Sequence, residues 1–173
     1  MFTRNALYRV LLLTVPAFAA DDHPQLGEPL TAAQVEAANF VVMPDGEGLP
    51  PGAGSAATGK AIYQQHCAAC HGAGGEGATN DRLVGGRGTI DSAAPVKTIG
   101  SYWPHATTLF DYIRRAMPFA APGSLGNDEI YAVTAYLLHL NGIVEENEVL
   151  NAKTLPRVTM PNRDNFDWAW PAR

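Results

Sequence analysis

Cys67-Ala68-Ala69-Cys70-His71 contains the chain's only two cysteines, and its reading decides what the rest of the fold is for. A Cys-x-x-Cys pair has several possible uses. A disulfide or a thioredoxin-like redox pair suits an exported chain, but the redox pair expects a strand before it and a helix after it. Here a helical segment precedes the motif, and Gly72, Gly74, Gly75 and Gly77 follow. A structural zinc site needs a second pair of ligands, and no further cysteine exists. Covalent haem attachment uses all three functional positions. Residues three apart on a helical turn face the same way, so both sulfurs reach the two vinyl groups on one porphyrin edge. The next residue, His71, is then placed under the iron as the first axial ligand. One motif implies one covalent haem c.

An axial histidine leaves the second position for His or Met. His105, Met117, His139 and Met160 lie after the motif; His23, Met43 and His66 lie before it. Met117 has the best local context. Leu109, Tyr112, Ile113 and Ala116 recur at i, i+3, i+4, i+7, the pattern of an amphipathic helix, with Thr107 or Thr108 available as its cap. Pro118 ends that helix and pushes Met117 toward an extended backbone. Met160 lies in a segment expected to be peripheral, His139 on the last helix, and His105 in a loop beside Pro104.

Three helices are readable in all: about 57–66, begun by Ser55 or Thr58; 109–116; and about 128–140, capped by Asn127 and stopped by Asn141-Gly142. The last carries apolar residues on more than one face and should be largely enclosed. No segment alternates, so no strand is expected. The fold class is all-α, three main helices around one haem with extended N- and C-terminal flanks. Leu49-Pro50-Pro51-Gly52 is expected to wrap the haem edge. A core this small relies on the apolar disc of the haem, so the apo-protein should be unfolded.

Arg4 and Arg9, a short apolar run over residues 10–15, and Ala17-Phe18-Ala19 read as a secretory signal cleaved after Ala19. The apolar stretch is too short for a membrane span, and the periplasm is the expected location. Cleavage removes two arginines and no acid, taking the net charge from −5 to −7. With no dedicated basic patch, an acidic surface excludes nucleic acid and favours a basic partner face at short range.

The helix order, with Cys-x-x-Cys-His before Met, resembles class I cytochromes c; Gly59-x-x-x-Tyr63 and Tyr136 match that fold's helix crossing. The run 95–144, with Pro44–Pro50, Asp81–Gly86 and Leu155–Phe166, is similar to the cytochrome subunits of bacterial sulfite and sulfane dehydrogenases, the SoxD-like group. The resemblance implies Met117 as the distal ligand. It also implies Tyr102, Trp103 and Arg87 beside the haem propionates. It further implies a molybdenum-containing sulfite or sulfane dehydrogenase subunit as electron donor, and a downstream cytochrome c or oxidase as acceptor. Chemistry on sulfur then belongs to the partner, and this chain moves single electrons. A general soluble electron carrier is the first alternative, and a haem enzyme or gas sensor the second. The expected organisation is a signal peptide (1–19), an N-terminal arm (20–54), a haem domain (55–144) and a C-terminal strap or docking tail (145–173).

Overall fold

The computed structural model describes residues 26–167. The signal sequence, His23, Trp168 and Trp170 lie outside them. Five helical segments follow in order: α1 (Ala32–Ala38), α2 (Ala56–His66), α3 (Ala68–His71), α4 (Ala106–Ala116) and α5 (Asn127–Leu140). A two-residue antiparallel pair, β1 (Ala53–Gly54) with β2 (Leu150–Asn151), joins the flanks of the helical block. The all-α expectation holds apart from that pair.

Local signals explain where α2 and α5 begin. The Ser55 hydroxyl accepts from the Thr58 N–H at 3.4 Å, and the Thr58 hydroxyl accepts from the Ser55 N–H at 3.1 Å. Each satisfies a donor that the first turn leaves open. At α5 the Glu129 carboxylate accepts from Gly126 N–H at 2.8 Å, so the cap is Gly126 and not Asn127. The Asn127 amide instead donates to the Pro51 carbonyl at 3.1 Å.

α2 and α5 cross at Gly59. A Cβ at that position would land on the backbone carbonyl of Ala132, so hydrogen is the only side chain the approach permits. One turn on, the Tyr63 and Tyr136 rings pack with centroids 5.3 Å apart. Every residue of α5 from Ile130 to Leu138 is buried. α4 then lies against α5 through Phe110 and Tyr131, whose centroids are 4.5 Å apart. Tyr131 is fully buried and donates its hydroxyl proton to the Pro50 carbonyl at 2.9 Å.

Several expectations are corrected. α4 starts at Ala106, with His105 at its cap position and no side-chain cap bond. Thr107 and Thr108 therefore lie within the first turn. Thr107 is buried and donates to the Pro44 carbonyl at 3.3 Å. The stretch Leu49–Gly52 packs on the start of α5 through Pro50 and Pro51 and does not border the cavity described below. The segment before the haem domain holds a helix, α1, where none was expected. After α5 the chain returns to the core, burying Leu150, Leu155, Val158 and Met160.

Candidate haem-binding cavity

The cysteine motif sits where the chain changes direction. α2 ends at His66, Cys67 occupies the break, and α3 is a single turn carrying Cys70 and His71. The Cys67 carbonyl accepts from both the Cys70 and the His71 N–H, at 3.1 and 3.0 Å. This turn brings Cys67, Cys70 and His71 to one wall of a cavity of about 330 Å³. The buried Tyr63 underpins it by donating to the Gly72 carbonyl at 2.8 Å. Burial, with Cys67, Glu76 and Tyr136 adding, pushes the Tyr63 hydroxyl up to about 12.

The remaining walls come from distant parts of the chain. α4 contributes Leu109, Tyr112 and Ile113, followed by Met117, Pro118 and Phe119. α5 contributes Val133 and Leu137; loops contribute Arg82, Leu83, Lys97, Ile99 and Trp103. Met117 has φ −122° and ψ 149°, the extended backbone expected before proline.

Of the sequence-derived residues, Cys67, Cys70, His71, Met117 and Trp103 meet at this cavity. Tyr102 and Arg87 do not border it. Tyr102 is half-buried, its ring 5.5 Å from Phe166 and 5.0 Å from the Lys97 ammonium. The Arg87 guanidinium donates to the Asn141 carbonyl at 3.0 Å, a clip to the end of α5. The other ligand candidates separate as well. Met160 is buried in the core away from the cavity, and His139 bonds the Val144 carbonyl at 3.1 Å. His66 does reach the cavity wall, on its exposed side.

Two cations at the cavity escape sequence reasoning, Arg82 and Lys97. They stand in separate loops, 15 residues apart in the chain, and no motif announces their convergence. Both are cations, which suits them to the acidic groups of a bound molecule.

The chemistry of the walls discriminates between uses of the motif. Burial, reinforced by Cys70, raises the Cys67 thiol to about 11. A redox-active dithiol needs the opposite, a thiol shifted toward thiolate. Among the described residues no three His, Cys, Asp or Glu side chains gather as they would around a bare ion. An imidazole and a thioether bordering one largely apolar cavity fit a metal held within a flat organic group instead. The His71 ring has a fixed second contact: its Nδ1 lies 2.8 Å from the Asp81 carbonyl oxygen. A carbonyl only accepts, so Nδ1 carries the proton and Nε2 keeps its lone pair. The residues present therefore fit a haem.

No helix among the described residues is long and apolar enough to cross a membrane.

Comparison with known proteins bears on the same region. Residues 54–137 match the family described as cytochrome c oxidase, cbb3-type, subunit III. The thiosulfate dehydrogenase of Psychrobacter arcticus is 29% identical over 123 residues, covering 63% of this chain and 34% of that protein. The cbb3-type oxidase subunit FixP of Bradyrhizobium diazoefficiens is 34% identical over 94 residues, 50% of this chain and 31% of that one. The chain thus spans about a third of the length of the curated relatives it matches. A chain in the crystal structure of the sulfane dehydrogenase SoxCD from Paracoccus pantotrophus superposes with a TM-score of 0.77 at 42% identity. That match covers 86% of this chain and 72% of the other.

Proposed function

This chain belongs to the c-type cytochromes, in the SoxD-like group, and from that premise we propose that it is a single-haem periplasmic electron acceptor for a molybdenum sulfite or sulfane dehydrogenase subunit. That it is a cytochrome c-type electron carrier related to a SoxCD subunit follows from the family.

The observation that carries the reading is the convergence of Cys67, Cys70, His71 and Met117 on one largely apolar cavity. A haem bound there supplies a one-electron iron couple. Cys67 and Cys70 would tether it through thioether bonds, and His71 Nε2 and the Met117 sulfur would hold its iron. Thioether ligation favours the ferrous state and raises the potential. Arg82 and Lys97 would pair with the propionates, and the Trp103 indole N–H offers a further donor at that wall. With His71 and Met117 both holding the iron, no substrate would need to bind it, and the chain's role would be to pass electrons between protein surfaces. Apolar wall residues such as Leu109, Ile113, Val133 and Leu137 exclude water and keep the surroundings of low polarity, which tunes the potential further.

Export after cleavage at Ala19 puts the haem domain in the compartment where haem attachment to Cys-x-x-Cys-His and sulfur-compound oxidation would meet. Sulfur chemistry stays with the partner, and a downstream cytochrome c or oxidase takes the electron. The likeness to a chain of the sulfane dehydrogenase SoxCD favours a dehydrogenase donor. The likeness to cbb3-type oxidase subunits favours a second reading, a carrier delivering electrons directly to an oxidase.

The deciding experiment mixes the purified ferric holoprotein with a purified molybdenum sulfite dehydrogenase and follows the visible spectrum. Sulfite-dependent reduction within the turnover time of the dehydrogenase is expected. Reduction by an oxidase-linked donor cytochrome, with none from the dehydrogenase, would replace the first reading with the second.

A further inference from the structure

The N-terminal arm runs along the outside of α4 in reverse direction and touches it at three points, one helical turn apart. Thr107 donates to the Pro44 carbonyl at 3.3 Å. Asp111 accepts from the Val42 N–H at 3.3 Å. The Arg114 guanidinium lies over the Phe40 ring, 5.3 Å from its centroid. Positions 107, 111 and 114 are i, i+4 and i+7, a single stripe of the helix. Residues 44, 42 and 40 are alternate positions of the arm, which ends in the turn closed by the Gly46 N–H on the Met43 carbonyl at 3.0 Å. The correspondence is a register from Thr107 to Arg114 of α4.

Asp111 is the centre of that register. It is buried, and its two carboxylate oxygens take different partners: Oδ1 the Val42 N–H, Oδ2 the Arg115 guanidinium one turn further on. It thereby links the arm to the turn that ends at Met117, whose N–H makes the last bond of the helix, to Ile113 at 3.1 Å. The stripe facing the cavity is Leu109, Tyr112 and Ile113, and Phe110 faces α5. An eleven-residue helix is marginal alone and frays first at its ends. Fraying here moves the Met117 sulfur.

We propose that residues 40–44 form a splint on α4, with Asp111 as the positioning residue that keeps the Met117 end of the helix against the cavity. The inference rests on the reading of Met117 as an axial ligand, and its test separates the two.

The holoprotein is compared with Asp111→Ala, Phe40→Ala and Met117→Ala. Two quantities are read: the rate of carbon monoxide binding to the reduced protein, and amide hydrogen exchange resolved by helix. Asp111→Ala should bind carbon monoxide about tenfold faster than wild type, the factor corresponding to about 1.4 kcal/mol. Its exchange should quicken in the last turn of α4 and stay unchanged in α2 and α5. Phe40→Ala should move in the same direction by a smaller factor, about threefold (about 0.65 kcal/mol). Wild-type binding and exchange in folded Asp111→Ala, beside rapid binding in Met117→Ala, would overturn the splint and leave the ligand in place. Exchange that quickens equally in all helices would also overturn it, since that is general loss of stability. Should Asp111→Ala fail to fold, Phe40→Ala decides alone, and wild-type behaviour there overturns the splint. If Met117→Ala keeps its six-coordinate spectrum and excludes carbon monoxide, the ligand assignment fails and the splint falls with it.

Discussion

His71 donates from Nδ1 to the carbonyl oxygen of Asp81 at 2.8 Å, across ten residues of chain. The contact makes the loop after the cysteine motif part of the histidine's electronic environment, because a donated Nδ1 proton raises the basicity of Nε2. That loop is itself held from a distance. The Asn141 side chain accepts from Gly85 N–H at 3.2 Å and donates to the Leu83 carbonyl at 3.2 Å, and its backbone carbonyl takes the Arg87 bond.

Asn141→Ala should therefore raise the reduction potential. Freed of its anchor, the loop weakens the His71–Asp81 bond, and a less basic histidine stabilises the ferric state less. The expected rise is on the order of tens of millivolts, where 59 mV is a tenfold change for one electron. Spectroelectrochemical titration measures it; an unchanged potential with an intact melting curve would remove the link between this anchor and His71.

Gly59→Ala should be among the most damaging single-methyl additions in the chain. The new Cβ meets the Ala132 carbonyl, which is helix backbone and has nowhere to move. Separating α2 from α5 also parts Tyr63 from Tyr136. A loss of about 2–4 kcal/mol is expected, at or above the upper range for overpacking, read by thermal unfolding of the holoprotein. Ala57→Ser, on the exposed side of the same helix, should cost less than about 0.5 kcal/mol.

Alkaline stability should depend on Tyr131. Burial pushes its hydroxyl up to about 12, slightly opposed by Arg114, from an ordinary value of 10.0. The folded state therefore holds the proton after the unfolded chain has lost it. Its contribution is complete below pH 10 and declines as pH rises toward 12. Tyr131→Phe should cost about 1 kcal/mol at neutral pH, from the lost bond to Pro50, and should flatten the decline between pH 10 and 12. Denaturant titrations at stepped pH would show both; an equally steep decline in the variant would contradict the assignment.

Removing the tether should unfold the chain. Without haem, walls such as Leu109, Ile113, Val133 and Leu137 face a water-filled space of about 330 Å³. A domain this small has little other core to offset that exposure. Cys67→Ala/Cys70→Ala, studied by circular dichroism, should show low helix content and no cooperative melt. A cooperative transition would mean that α2 and α5 suffice alone.

The parts of this architecture legible in the sequence are those written in local chemistry. Ser55 and Thr58 both mark the start of α2, Asn127 lies one residue from the Gly126 cap of α5, and Pro118 announces where α4 stops and Met117 begins. α1 was also written locally, as Thr31-x-x-Gln34. Gln34 Oε1 accepts from Thr31 N–H at 2.9 Å, but no apolar period drew attention to it. The start of α4 was misplaced because the threonines that resemble caps serve other ends: Thr107 holds the arm. Arg82 and Lys97 were overlooked because charged loop residues have no period, and only the folded chain brings them to one cavity. Arg87 was expected there on resemblance alone, and its guanidinium is engaged at Asn141. The β1–β2 pair was beyond reach, since two residues cannot show alternation.

That small ladder has a consequence for how the domain travels. Ala53 stands opposite Asn151 and Gly54 opposite Leu150, so the chain enters the helical block and leaves it at the same doorway. A unit with adjoining entrance and exit can be spliced into a longer polypeptide without stretching the host or itself. The relatives it matches are about three times as long as the stretch they share with it. In this chain the flanks on either side of that doorway fold back to complete the core, through Val42 before it and Leu155, Val158 and Met160 after it, and four paired residues serve as the clasp.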